Sequence, residues 1–262
     1  MFPPQRLVCL TEETVETLYL LGEQDRIVGV SGYTVRPPEA RRDKPRVSAF
    51  TSADIPKIAA LKPDLVLTFS DLQADIVAEL VRCGIAVHAF NQRDIAGIFD
   101  MIRTLGALVD ARPRAEALAS RLQAGLDAAR RRSSRLARRP RIFFEEWDEP
   151  SISAIRWVSE LIGIAGGEDV FAHLSREESA THRVVSGAAT IAAAPNIIVG
   201  SWCGKKFRPE RVAARAGFAA IPAVRDGALH EIKSPLILQP GPAALTDGLA
   251  ALEKIVADWA AR

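Results

Sequence analysis

The chain has 262 residues, 48% of them hydrophobic and 25% charged, with a formal net charge of +2. That is enough apolar material for one large domain or two lobes with separate cores, and it is not the composition of a disordered chain or a dedicated nucleic-acid binder. No stretch approaches the roughly 20 apolar residues that span a bilayer. The start, Met1-Phe2-Pro3-Pro4-Gln5-Arg6, lacks the basic-then-apolar pattern of a leader. The expectation is therefore a cytoplasmic protein, or a periplasmic one whose leader was removed or whose start was misassigned.

Along the chain, short strand-like runs alternate with helical ones. Leu7–Leu10 reads as a buried strand. Thr11 reads as an N-cap, and Val15, Leu18, Tyr19 and Leu21 follow at helical spacing up to Gly22. A strand at Ile27–Val30, a short helix at Ile55–Leu61 stopped by Pro63, and a strand at Leu65–Phe69 come next. Asp71–Arg82 reads as a helix ended by Gly84, and Ala86–Phe90 as a strand. Such alternation predicts a mostly parallel sheet covered on both faces. Residues 113–138 differ. Ala115, Leu118, Leu122, Leu126 and Ala129 make one narrow apolar stripe in an Arg-rich segment, the pattern of a long amphipathic helix.

After Pro140 the first pattern returns. Arg6-Leu-Val-Cys-Leu-Thr-Glu-Glu is echoed from Arg141 as Arg-Ile-Phe-Phe-Glu-Glu-Trp-Asp, and the Ala-Leu-Lys-Pro63-Asp-Leu-Val-Leu run by Ala-Ala-Pro195-Asn-Ile-Ile-Val. The expected fold is α/β. Two similar lobes, 1–110 and 140–262, the second with a terminal helix, have mostly parallel central sheets flanked by helices. One backbone helix, 111–139, joins them, and the ligand cleft lies between them. In open α/β sheets ligands sit beyond the carboxyl ends of the strands. The segments after each strand are then the candidate site: Thr11, Glu12 and Glu13; Ser31-Gly32-Tyr33; Phe69, Ser70 and Asp71; Asn91, Gln92 and Arg93; Glu145-Glu146-Trp147-Asp148; and Ser201-Trp202-Cys203-Gly204 with Lys205. Only 6% of residues are aromatic, yet Tyr33, Trp147 and Trp202 fall in these segments, and Phe50 lies beside them. Aromatics on exposed loops point to binding.

The run Ile27-Val-Gly-Val-Ser-Gly-Tyr33, with Arg36-Pro-Pro38, Arg46-Val-Ser-Ala-Phe50 and Ile58-Ala-Ala-Leu-Lys-Pro-Asp-Leu65, resembles the class III substrate-binding proteins of ABC importers. Within them it is most similar to the vitamin B12 binders. The resemblance covers essentially the whole chain. The Leu-Lys-Pro-Asp-Leu-Val run is shared with siderophore and haem binders, whereas Val-Gly-Val-Ser-x-Tyr and Val-Ser-x-aromatic point to B12. It implies a corrinoid, cobalamin or a related cobamide, as ligand and no catalytic cofactor. Tyr33 matches an aromatic that contacts the corrin, and Phe50 stands where B12 binders carry Trp. Such a ligand is an apolar disc fringed with amides, so its faces supply affinity by burial, and Thr11, Ser70, Asn91 and Gln92 have the chemistry to orient it. The resemblance further implies docking on a permease through one surface Glu per lobe. Pro56 and Ala188 occupy those positions, with Glu177 and Glu178 near the second.

Other chemistries fit less well. His88, His173, His182 and His230 share no HxH or HxxxH spacing, so no metal site is expected, although His182 lies near the second lobe's loops and is a candidate cobalt ligand. Gly200-Ser-Trp-Cys-Gly204-Lys205-Lys206 is one residue short of a phosphate loop and has Lys206 where Ser or Thr is required. Lys205, Lys206 and Arg208 remain candidates for an anionic ligand group. Cys9, Cys83 and Cys203 read as reduced thiols. A hydrolase would use Glu145, Glu146 and Asp148, beside Glu149, as paired acids. A siderophore or haem binder would use Tyr33, Arg93 and Arg208. The expected protein is a monomeric binder and not an enzyme, with a small-molecule partner and no nucleic acid, either a carrier or the binding component of an importer.

Overall fold

Leu7, Val8 and Cys9 are wholly buried and form β1 (Leu7–Cys9) in the computed structural model, which describes residues 2–262. Met1, the first residue of the leader reading, lies outside them. A strand with no exposed face belongs inside a parallel sheet covered on both sides. β1 pairs in parallel with β2 (Ile27–Ser31) and β4 (Leu65–Phe69), and the flanks are β3 (Arg46–Ser48) and β5 (Val87–Phe90), giving the order β3-β2-β1-β4-β5. Helices Glu12–Leu20, Ile55–Ala60, Ala74–Arg82 and Ile95–Leu108 connect the strands or follow them. Val8, Leu10, Val47, Ile58, Val66, Ile76 and Leu80 make one core cluster here, each large side chain stabilising the fold by about 1.5–3 kcal/mol through burial.

By internal contacts the chain divides into Met1–Leu122 and Gln123–Arg262. The boundary falls inside helix Arg112–Ser133, whose 22 residues run about 33 Å at 1.5 Å each. All five stripe residues named from the sequence are buried. The helix stops at Ser133, short of the expected 138. The hydroxyls of Ser133 and Ser134 donate to the carbonyls of Arg130 and Arg131 at 3.1 and 3.0 Å and satisfy the last turn.

In the second unit β6 (Arg141–Asp148) is central. β7 (Ser151–Ser153) pairs antiparallel with its end, and β8 (Glu168–Asp169) pairs in parallel with its start. β9 (Ile197–Gly200) lies on the other side, with β10 (Leu229–Glu231) beyond it. Thus β6 stands between β8 and β9 as β1 stands between β2 and β4, and the sequence echo corresponds to shared topology. The core is aromatic: Phe143, Phe171, Trp202, Phe207 and Phe218 with Ile198 and Ile221. Gly200 closes β9 because a side chain there would overlap the ring of Phe207.

Three local expectations are corrected, and one helix is added. Glu145–Asp148 is not a loop but the end of β6, held by the hairpin partner β7. Thr11 sits at the N-cap position without capping, because its hydroxyl turns to the Glu13 carboxyl. The expected helix from Asp71 begins as a tight turn, Asp71–Gln73, and becomes α-helical at Ala74. Helix Ile95–Leu108, whose aspartate N-cap Asp94 accepts from the Gly97 N–H at 2.8 Å, had no counterpart in the sequence reading.

Candidate functional site

Because every strand of the first unit is parallel, their carboxyl ends share one edge of the sheet. The loop after β2 carries Tyr33, which is 58% exposed, and it is held from below. Its Gly32 N–H donates to the Ser48 carbonyl at 2.7 Å. The Val35 N–H donates to Glu12 at 3.1 Å, and Arg36 donates to Glu16 at 3.1 Å. Glu12 is therefore not presented to solvent; it is 4% exposed and serves the loop. Its neighbour Glu13, 1% exposed, takes the Thr11 hydroxyl on one oxygen, and its other oxygen has no partner. Burial pushes both carboxyls up to about 7; the Val35 N–H partly offsets this for Glu12 and the Thr11 hydroxyl for Glu13.

At the end of β4, Phe69 is buried and Ser70 has φ 66° and ψ 170°, a conformation costly for any residue with a Cβ. The Ser70 hydroxyl accepts the Leu72 N–H. Gln73, wholly buried, brackets this edge. Its carbonyl oxygen accepts the Phe69 N–H at 3.0 Å, and its amide donates to the Phe50 carbonyl at 2.8 Å. Phe50 itself is half-buried. Arg93 lies 5.6 Å from the Phe69 ring and pairs with Asp71 at 3.0 Å. Asn91 is exposed and Gln92 buried. Thr11 is buried too, so among the polar residues assigned to orient a ligand only Asn91 is open to solvent.

The second unit treats its acids differently. Glu145 is fully buried, yet both its oxygens are used. Arg215 donates to them at 2.5 and 3.2 Å, the Trp202 indole at 3.0 Å and the Ser151 hydroxyl at 2.7 Å. Glu146 pairs with buried Arg183 at 2.7 Å. Lys205 lies 2.6 Å from Asp148 and 3.7 Å from the Trp147 ring centre. Burial alone would raise the Asp148 carboxyl, but Lys205, with Arg211 further off, overrides it and holds the group below its usual value. Glu149 pairs with Arg211 at 3.2 Å. Each member of the acidic run thus faces a cation, which is the arrangement of a structural ion-pair network rather than of a poised acid and base.

The structure separates the two tryptophans. Trp147 is half-buried, with its indole bound to the Glu149 carbonyl at 2.9 Å. Trp202 was expected on an open loop. Instead it is 3% exposed, its ring edge-on to Phe207 at 5.0 Å, because its N–H is drawn inward to Glu145. Lys205 is exposed. His182 is exposed and lies 3.5 Å from Glu177. Sequence reasoning missed Gln73, Arg183 and Arg215. The signal for the two arginines was available, since four acids in five residues demand cations from elsewhere. Gln73 left no such trace.

The pattern of the periplasmic binding protein family matches residues 7–236. A vitamin B12-binding protein of Vibrio campbellii is 25% identical over 202 residues, covering 76% of this chain and 71% of that one. Other curated relatives with cobalamin or vitamin B12 in their names are spanned over only 48% and 62% of their length. Among solved structures, the periplasmic vitamin B12 binding protein of Vibrio cholerae aligns with a TM-score of 0.78 at 22% identity, covering 99% of each chain. The periplasmic heme-binding protein from Roseiflexus sp. RS-1 aligns at 0.82 and 23%, covering 96% of this chain and 99% of that one. These likenesses show the α/β fold of the two-lobed binding proteins.

Proposed function

The chain belongs to the periplasmic binding protein family, and on that premise we propose that it binds a corrinoid, cobalamin or a related cobamide, without turnover, through the strand-end loops of its units. The observation that carries the reading is the edge of the first sheet. There an exposed Tyr33 and a half-buried Phe50 stand on loops hydrogen-bonded to the buried side chains of Glu12 and Gln73. Rigid aromatic plates with few oriented polar groups suit a large, flat, amide-fringed ligand. The names of the curated relatives support the same choice. A titration of the purified protein with cyanocobalamin and with cobinamide, followed by fluorescence and visible absorption, is expected to saturate near one ligand per chain. Trp147→Ala is expected to weaken binding by about 1–3 kcal/mol, as for an interface aromatic.

A second reading rests on Tyr33 alone. An exposed phenol on a strand-end loop also suits axial ligation of haem iron. Titration with hemin in parallel separates the two: a sharp Soret change with hemin, and no response to either corrinoid, moves the assignment.

For the transporter question, Pro56 and Ala188 are exposed in the first turns of helices Ile55–Ala60 and Gly187–Ala193. Neither side chain accepts a hydrogen bond from a guanidinium. The proposal is a corrinoid carrier that does not dock through these two positions. Fractionation of the native gene product with its upstream region intact, together with pull-down on the organism's own permease, decides it. Periplasmic location with salt-sensitive capture overturns it.

A further inference from the structure

Glu12 and Glu13 open helix Glu12–Leu20 where it meets the loop bearing Tyr33. Glu12 accepts from the Val35 N–H, and Glu16, one turn on, takes the Arg36 guanidinium, so the two residues after Thr34 are fastened to this helix, the first by its backbone and the second by its side chain. The charges around the pair are few. On the helix itself stands Glu16, already engaged with Arg36. β1 contributes the Cys9 thiol, which burial pushes up to about 12 and whose surroundings include Lys44. The turn Gln24–Arg26 brings Arg26, which pairs with Glu23, as Arg114 does. Helix Ile95–Leu108 meets this one at uncharged Met101, 4.0 Å from Thr17. Its Asp100 and Arg103 pair with each other at 3.8 Å, and Arg103 also holds Glu116. Among the described residues no cation forms an ion pair with Glu12 or Glu13.

We propose that Glu12 is the positioning residue of the Tyr33 loop, and that the Glu12–Glu13 pair must retain a proton while ligand is bound, so that affinity falls as the pair ionises. This rests on the ligand reading above. One charge is tolerated here, because the Val35 N–H and the Thr11 hydroxyl each face a carboxyl oxygen. A second charge has no counterion, and one Glu13 oxygen has no donor at all, so full ionisation drives a carboxylate toward water. If Glu12 leaves, Val35 loses its acceptor and Tyr33 its fixed place. Ligand covering the loop shields the pair further and holds the proton.

Cyanocobalamin titrations of the wild-type protein should show Kd rising about tenfold between about pH 6 and about pH 8.5, as one coupled proton is lost part-way through that window. Glu12→Gln keeps an oxygen for the Val35 N–H and leaves a single ionisable carboxyl, so the second charge cannot form and its profile should be flat. Glu12→Ala, with no acceptor, should bind more weakly than Glu12→Gln at the acid end. A wild-type Kd constant within about twofold over that range, or an undiminished slope in Glu12→Gln, overturns the proposal. The Val35 amide NMR signal of unliganded protein gives a readout that needs no ligand. It should titrate near neutral pH in wild type and stay still in Glu12→Gln, and a static wild-type signal also overturns the proposal. If Val35 titrates while neither cyanocobalamin nor cobinamide binds, the ligand reading has failed and the positioning role of Glu12 stands.

Discussion

Each unit buries a glutamate close to the strand that starts its repeat, Glu13 in the helix after β1 and Glu145 within β6, and the two are stabilised in opposite ways. In the first, Glu13 meets a hydroxyl and an empty place. In the second, Glu145 meets a bidentate guanidinium, an indole and a hydroxyl. A buried glutamate near the first strand of each unit is thus short of partners in one unit and fully partnered in the other. Partners, and not burial alone, decide which. The first edge can respond to pH, whereas the second is an electrostatic frame.

The largest effects should come from breaking the frame. Trp202→Ala removes a donor to Glu145 and opens the aromatic core, and should destabilise the protein by about 3–5 kcal/mol in urea unfolding. An effect below about 1 kcal/mol would mean that Trp202 is not in the core. Arg215→Met leaves Glu145 buried without its cation, for about 3 kcal/mol. Adding Glu145→Gln to Arg215→Met should restore much of the loss, and failure to do so would break the assignment of that pair.

Glu13→Gln should act in the opposite sense. The folded Glu13 carboxyl is raised to about 7 from an ordinary 4.5. Its contribution is therefore fully present below pH 4.5 and is lost as pH rises through 7. Glu13→Gln should remove that loss and gain on the order of 2 kcal/mol at alkaline pH. Equal stability of variant and wild type at alkaline pH contradicts the assignment. Lys205→Met should have the smallest effect, about 0.5–1 kcal/mol, since its ammonium is partly solvated. Asp148, held low, contributes stability that is lost as pH falls through its folded value, so the Lys205→Met difference should vanish in acid. A difference that persists there would mean that the Lys205 stem, packed on Trp147, matters more than its charge.

The sequence showed the strands of the first unit because Leu-Val-Cys-Leu and Leu-Val-Leu-Thr-Phe are apolar runs bounded by turn residues. It showed the stripe Ala115–Ala129 because helical spacing survives in an Arg-rich segment. It hid the β6–β7 hairpin. Glu145-Glu146-Trp147-Asp148 is polar by composition, and its inward residues are satisfied by Arg183 and Arg215, 37 and 70 positions away. It also hid Trp202, since nothing local announces that an indole N–H will turn toward a carboxylate 57 residues earlier. Tyr33 was legible as a site candidate because its loop is exposed. Glu12, which fixes that loop, stood among the candidate ligand residues, because a buried carboxylate and a ligand-facing one look alike in one dimension.

Gln73 carries a consequence for how this edge can change over generations. One side-chain amide ties the end of β4 to the backbone of Phe50, so those segments share a fastener. A substitution at Phe50 that needs the backbone to shift must stretch a bond whose other end fixes Phe69. Changes of plate size at 50 and of contour around 69 are therefore expected to succeed together or fail singly. Selection for a new ligand at this edge would meet epistasis running through a wholly buried residue.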